Sequence, residues 1–323
     1  MLHDPMNRNK GFSLIELICA MSILLIVAGT ALYGLATYQK QYAGTSVRQN
    51  MQSSVRNATE MLEQEIGQAG AFTGVGGVSQ VTITAASKGS STVTVSPAGT
   101  TANMFVGENL QVNDTSQETV AITAIGVNTI TATFANAHAA NTIVTLGGIF
   151  PQGILWGQIS SATQSGANDL YLIGDVNSDG NLYLVHYNCN QSSTPPTYGS
   201  FSRSIMKLPS GAVSTDTLVQ NVIPNPDGSA CFIYTGRTTV GAFTDIVPNV
   251  GLTLSTASSQ KDPSLSGCGG VSTGNTTTCY ITVTNSFLNL NPRNVLYGKA
   301  LATAGTNNVL QPLPLVTWFS SFP

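Results

Sequence analysis

One stretch near the N-terminus constrains the chain more than any other: Gly11–Phe12–Ser13–Leu14–Ile15–Glu16–Leu17, followed by an almost unbroken apolar run from Ile18 to about Tyr38. Glu16 is the one formal charge between Phe12 and Tyr38. At ~1.5 Å of rise per residue, a helix of this length crosses a bilayer core of ~30 Å. A carboxylate in hydrocarbon costs at least ~2.5 kcal/mol, so Glu16 marks a functional position. Ahead of the run lies a short polar leader, Met1 to Lys10, carrying Arg8 and Lys10. A secretory signal is cut after its apolar region at a small-x-small site. Here Ala28, Thr30 and Ala31 are followed by more apolar helix. The expected cut is therefore ahead of the run, between Gly11 and Phe12.

The segment Lys10–Gly11–Phe12–Ser13–Leu14–Ile15–Glu16–Leu17 resembles the processing signal of type IV prepilins and type II secretion pseudopilins. The resemblance implies a membrane peptidase that cleaves after Gly11 and methylates the new N-terminal Phe12. It also implies that Glu16 pairs with the N-terminal amine of a neighbouring subunit during assembly. The implied fold is α+β, a long N-terminal helix packed on an antiparallel sheet.

The apolar character becomes a stripe further on. Val47, Met51, Val55, Ala58, Leu62, Ile66 and Ala69 follow one another at steps of three and four, the face of an amphipathic helix. Arg48, Arg56, Glu60, Glu63 and Glu65 are read as filling the polar faces, with Gly67 and Gly70 as the stop and Gly74, Gly76 and Gly77 as a flexible exit. The resulting organisation is a cleaved leader over 1–11, a transmembrane and assembly helix over 12–70, a β-rich insert over 78–148 and a globular β head over 149–323. In the insert, alternating β-formers over Gln80–Ala85, Ser91–Ser96, Glu118–Ile125 and Thr129–Phe134 suit either a small β-barrel or a long decorated loop. His138 is read as a packed or surface residue, since no second His or Cys stands at metal spacing.

Charged residues are only 8% of the chain, a mix suited to strands and turns. Loss of the leader removes Asp4, Arg8 and Lys10 from 15 acidic and 12 basic side chains, a net charge of −4. Lys88, Arg203, Lys207, Arg237, Lys261, Arg293 and Lys299 are scattered singly, so no nucleic-acid partner is expected. Cys19 lies in the apolar helix; Cys189, Cys231, Cys268 and Cys279 lie in the polar part, where an oxidising compartment favours two disulfides. Four cysteines allow three connectivities. Cys268–Cys279 closes a short loop and leaves Cys189–Cys231. A four-cysteine zinc site is the rival reading, but no C-x-x-C spacing supports it.

Two strands, Asn168–Ile173 and Leu182–Tyr187, flank the acidic turn Asp175–Val176–Asn177–Ser178–Asp179–Gly180–Asn181. Asp175, Asn177 and Asp179 match the start of a calcium loop, but its twelfth position is His186 instead of a bidentate Glu. A β-hairpin with an Asx-shaped turn and no metal is the preferred reading. Further strands are expected at Leu218–Ile223, Cys231–Tyr234, Val247–Ser255, Cys279–Asn285 and Val295–Tyr297. Their order resembles the head of large minor pilins and of J-type pseudopilins. The apolar tail from Asn308, with Trp318 and Phe319, suits core packing or a contact surface. No H-E-x-x-H or P-loop occurs, and neither an enzyme nor a cofactor is expected. Three functions remain open. The first is a minor pilin processed after Gly11 and assembled through its helix, possibly at the tip. The second is a type II secretion pseudopilin, and the third a pilus-borne adhesin with the insert as binding module. The expected partners are other pilin subunits, the prepilin peptidase and the inner membrane; after assembly the protein belongs in a pilus or pseudopilus at the periplasm or cell surface.

Overall fold

A computed structural model describes residues 13–157, 164–193, 197–261, 280–306, 308–314, 318 and 322. Two compact units divide the chain, Met1–Asn50 with Gln260–Ile281, and Met51–Ser259 with Thr282–Pro323. One helix, α1, spans Leu14–Gln68, roughly 80 Å at 1.5 Å per residue. In the first unit each large apolar side chain from Leu14 to Tyr42 keeps more than half of its surface exposed. Ser22, Thr30, Thr37 and Thr45 donate their hydroxyls to carbonyls three or four residues back, at 2.8–3.0 Å. These side chains therefore present no unpaired donor to an apolar surrounding.

In the second unit α1 becomes a core helix. Val55, Ala58, Leu62, Ile66 and Ala69 are buried in one cluster with Leu170, Leu172, Tyr187, Phe201, Phe232 and Leu252. Glu65, read from sequence as a polar-face residue, is buried on the same side. Helical geometry explains the correction: Ala58, Leu62, Glu65 and Ala69 stand at steps of four, three and four, so they share a face. Glu65 survives there because Arg203 grips it. The Arg203 Nε lies 2.9 and 3.1 Å from the two carboxylate oxygens, and a terminal guanidinium nitrogen donates to Oε1. The Tyr187 hydroxyl donates to Oε2. Burial alone would lower the Arg203 pKa, but the hydrogen bonds and charge of Glu65 raise it. Burial, with the Glu65 charge behind it, pushes the Tyr187 hydroxyl upward.

Gly70 ends the helix excursion. Its φ of +83° is left-handed, and a Cβ there would stand 2.6 Å from the Phe150 carbonyl oxygen. Gly67, expected to share that role, lies inside α1. The glycines after it do not form a flexible exit either: Val75 and Val78 exchange backbone hydrogen bonds at 2.8 and 3.1 Å.

From here the chain is β-rich. Strand β1 (Ala71–Phe72) leads into β2 (Gln80–Ile83), β3 (Gly89–Ser96), β4 (Asn109–Asn113), β5 (Glu118–Gly126), β6 (Thr129–Phe134) and β7 (Thr142–Thr145). The last six close an antiparallel barrel in the order β2-β3-β6-β5-β4-β7. Period-two alternation sends Val93, Val95, Val120, Ile122, Ile130 and Ala132 inward. His138 is a packed residue: Nδ1 meets Asp114 at 2.7 Å and Nε2 meets Glu118 at 2.5 Å. Desolvation opposes the imidazolium, yet the two carboxylates raise the His138 pKa. Strand β8 (Gly148–Ile149) then pairs back with β1, Phe72 opposite Gly148.

The main sheet follows: β9 (Asp169–Gly174), β10 (Tyr183–Asn190), β11 (Gly199–Lys207), β12 (Val213–Ile223), β13 (Phe232–Thr235), a small hairpin of β14 (Thr238–Val240) and β15 (Phe243–Ile246), then β16 (Asn249–Lys261) and β17 (Tyr280–Leu290). Seven strands run β13-β16-β12-β11-β10-β9, with β17 added on β16. The expected strand at Val295–Tyr297 is instead a turn of helix α2, Arg293–Thr303. Pro292 stands at its N-cap, and Val295 and Gly298, three residues apart, are its buried positions. The tail packs on the core: Gln311 bonds Asn109 N at 2.9 Å and the carbonyls of Asn109 and Gly147 at 2.8 Å, and Phe322 is buried.

Two outcomes are expected. Arg203→Ala leaves the Glu65 charge buried and unpaired, lowering head stability by about 3–5 kcal/mol, whereas the double change Glu65→Leu with Arg203→Leu costs less than either single change. Urea midpoints of the full chain in detergent check this. In the barrel, Glu108 is wholly buried; Oε2 accepts the Phe105 N–H at 3.3 Å and Oε1 meets no donor among the described residues. Burial pushes its pKa up to about 8. The folded state then holds a proton that the unfolded chain releases, so stability falls as pH rises from about 4.5 to about 8 and levels off above. Glu108→Gln should flatten that slope in a series of melting temperatures across this range.

Candidate assembly site at the start of the helix

Gly11 and Phe12, the expected cleavage junction, lie outside the described residues, so the site begins at Ser13. Ser13 precedes the first turn of α1, and its carbonyl accepts the N–H groups of Glu16 and Leu17 at 3.0 and 3.2 Å. Glu16 turns its side chain back: Oε2 accepts the Ser13 backbone N–H at 3.2 Å. Ser13–Leu14–Ile15–Glu16 is the S-x-x-E pattern in which the fourth residue satisfies a backbone donor at the helix start. The pattern is legible in the sequence, and it gives Glu16 a role within its own helix beside the intermolecular one that the resemblance implies. The carboxylate also sits where the helix dipole favours negative charge. Within one chain, Glu16 is thus a cap, held on the rim of the first turn through one of its oxygens.

Around it the surface is apolar, and small residues follow further along the helix. Leu14, Ile15, Leu17 and Ile18 are exposed, Cys19 is a free thiol, and at Gly29 and Gly34 an added Cβ would meet nothing within 4 Å. A surface of this kind suits lipid or a neighbouring helix, where small residues let backbones approach. By length and composition α1 can cross a membrane.

The other expected site residues fall in the head. Cys189 and Cys231 form a disulfide. Cys268 and Cys279 lie outside the described residues. Strands β9 and β10 make the expected hairpin, Gly174 opposite Tyr183. In its turn Asp175 is buried; Oδ1 accepts the Asp179 N–H at 3.0 Å, and Oδ2 accepts the Gly180 N–H at 2.9 Å and the Thr73 hydroxyl. Asp179 accepts the Asn181 N–H at 3.0 Å and the Tyr183 hydroxyl at 2.8 Å. His186 bonds Asp169 at 2.9 Å and stacks on Tyr171, away from the role of a twelfth ligand. The acidic side chains are therefore committed to shaping the turn and tying it to the segment after α1.

Processing gives a direct expectation. Protein recovered from membranes should begin at Phe12 with an N-methylated amine, read by intact and peptide mass spectrometry. Recovery of the Met1 form alone from cells with an active prepilin peptidase would overturn it.

The family model of the prokaryotic N-terminal methylation motif matches residues 6–32. No curated protein and no solved structure matches the chain. The motif implies processing by a prepilin peptidase and assembly with other pilin subunits, and the apolar helix behind it marks a single-pass anchor. That motif, opening a 55-residue helix whose later turns pack in the core of an antiparallel-sheet head, supports the type IV pilin and pseudopilin class.

Proposed function

We propose that this protein is a non-catalytic minor subunit of a type IV pilus, held in the inner membrane by α1 and carried into the filament by the same helix. The observation that carries the reading is the change of character along α1. Its first turns expose apolar side chains with Glu16 at the head, and its last turns bury Val55 to Ala69 in the subunit's own head. One element thereby offers a helix for packing among others while holding its cargo firmly. The barrel of β2 to β7 enlarges the head beyond what repeated packing requires, which favours a low-copy position such as the tip. There the barrel is also the natural binding module, with Val127 90% exposed on its β5–β6 turn.

Glu16 supplies the test. In hydrocarbon the remaining oxygen of the carboxylate needs a cation, and the methylated amine of an incoming subunit provides one. Glu16→Gln keeps the cap, because Gln serves equally in the S-x-x-E/Q pattern, and loses the charge. Glu16→Ala loses both. If the charge directs assembly, both variants insert and fold normally, yet their share in sheared filaments relative to the membrane pool falls about tenfold or more, the effect of ~1.4 kcal/mol. If capping alone matters, only Glu16→Ala falls. Wild-type incorporation of both would remove Glu16 from assembly, and loss of protein secretion in place of loss of pili would move the subunit to a type II secretion pseudopilus.

A further inference from the structure

Residues 308–314 strap the barrel to β8. The Gln311 N–H bonds Ile149 O at 2.8 Å, and the Ile149 N–H bonds Val309 O at 2.9 Å. Strands β4 and β7 pair with Gln111 opposite Thr145, a register that sets Asn109 against Gly147 two residues on. The buried Gln311 carboxamide stands between them: Oε1 accepts the Asn109 N–H at 2.9 Å, and Nε2 donates to the carbonyls of Asn109 and Gly147 at 2.8 Å. The Asn109 side chain answers by donating to Leu310 O at 2.7 Å. Asn109 is thus the seat of the strap, and the residue before it is Glu108. Glu108 closes a tight turn with Phe105: its N–H bonds Phe105 O at 3.1 Å, and its Oε2 accepts the Phe105 N–H at 3.3 Å. The same turn meets the tail twice more. The Phe105 ring lies edge-on to Trp318 at 5.6 Å, and a Cβ added at Gly107 would stand 3.7 Å from Pro312. Glu108 is fully buried, with Oε1 unpartnered among the described residues. The side chains around its turn, Phe72 and Phe150 from the stem and Pro312 and Trp318 from the tail, do not titrate. No charged group acts on it: burial raises its pKa, and the Phe105 N–H alone opposes. A neutral carboxyl tolerates this place, whereas a carboxylate there lacks the donors that would offset its lost hydration.

We infer that Glu108 is a proton-controlled latch on this strap: protonated, it keeps the turn 105–108 closed and the strap seated, and on losing its proton it opens the turn and frees the strap. A carboxylate at this position reaches water only if the turn unfolds. Unfolding the turn withdraws the Phe105 ring from Trp318 and displaces Asn109 from Gln311. The strap is then left with its bonds to β8 and one from Gln111 Nε2 to Asn308 O at 3.3 Å. The sign follows from linkage. The closed form holds its proton up to about pH 8, while an open, hydrated Glu108 releases it near 4.5. Opening is therefore favoured about tenfold more for each pH unit between those values, and the gain levels off above. A general loss of stability would loosen sheet and strap together; a latch frees the strap first. The inference concerns the head alone and does not rest on the filament reading.

Hydrogen exchange of the full chain in detergent micelles tests it, read by mass spectrometry and corrected for the intrinsic pH dependence of amide exchange. Peptides over 308–314 report the strap, and peptides over 183–190, in β10, report the sheet. Opening of the strap should rise about tenfold from pH 6 to pH 7 while β10 stays protected. Glu108→Gln keeps the shape and the acceptor but cannot ionise, so its strap should stay equally protected at both pH values. Gln311→Ala removes the clamp itself and should leave the strap exchanging fast at both. A wild-type strap with the same corrected exchange at pH 6 and pH 7 would overturn the inference. So would a Glu108→Gln strap that still loosens tenfold, a Gln311→Ala strap as protected as the wild type, or strap and sheet that loosen together.

Discussion

The head hangs on one buried ion pair. Glu65 comes from α1, while Tyr187 and Arg203 are cross-strand partners on the neighbouring strands β10 and β11, so a helix and a hairpin far from it in sequence meet at a single carboxylate. Apolar contacts around Leu62 and Ile66 supply area but little direction, since dispersion and water exclusion are indifferent to small shifts of a helix along a sheet. A carboxylate gripped by a guanidinium and a phenol tolerates no such shift, because leaving any of the three buried and unpaired costs several kcal/mol. The pair fixes the rotation and axial position of α1 on the sheet. Everything built on the helix end, from Gly70 to the β1–β8 pair, inherits that register.

Much of this was legible in the sequence. The apolar run, the stripe from Val55 to Ala69, the hairpin around Asp175 and the alternating strands of the barrel each carry a period that physics converts directly into structure. What escaped did so for identifiable reasons. Glu65 reads as a polar-face residue because its partner lies 138 residues away. Strand β11, Gly199–Lys207, gave no sign of itself: serines alternate with its larger residues, and one inward position is Arg203, a charge that pattern reading sends to solvent. At Val295–Tyr297 three consecutive apolar residues look like a strand, and only the buried spacing of Val295 and Gly298 shows a helix. At the N-terminus the S-x-x-E cap is written in four consecutive residues, Ser13 to Glu16, and is legible from sequence alone.

Titratable groups in the head divide by environment. His138 is held between two carboxylates that favour its charged form, and Asp114 and Glu118 gain from the same contacts. Glu108 has burial without a counter-charge and is pushed the opposite way. Both sit in one small barrel. The barrel therefore holds groups pushed in both directions by their surroundings, while the gripped pair at Glu65 anchors the sheet.

The way the barrel joins the head has its own consequence. The chain leaves the sheet region at Phe72 and returns at Gly148, and these two residues are cross-strand neighbours. From the standpoint of the head, all of residues 73–147 is the loop of a single hairpin. Closing a loop costs entropy that grows only with the logarithm of its length, about 0.6 kcal/mol for each doubling. The barrel recovers far more than that through its ladder hydrogen bonds and its inward side chains, which are buried in one cluster with Tyr171, Ile173, Leu184 and Met206 of the sheet. The β1–β8 pair is thus a socket: lengthening or shortening the chain between Phe72 and Gly148 changes the closure cost little and leaves the pairing of the two strands in place.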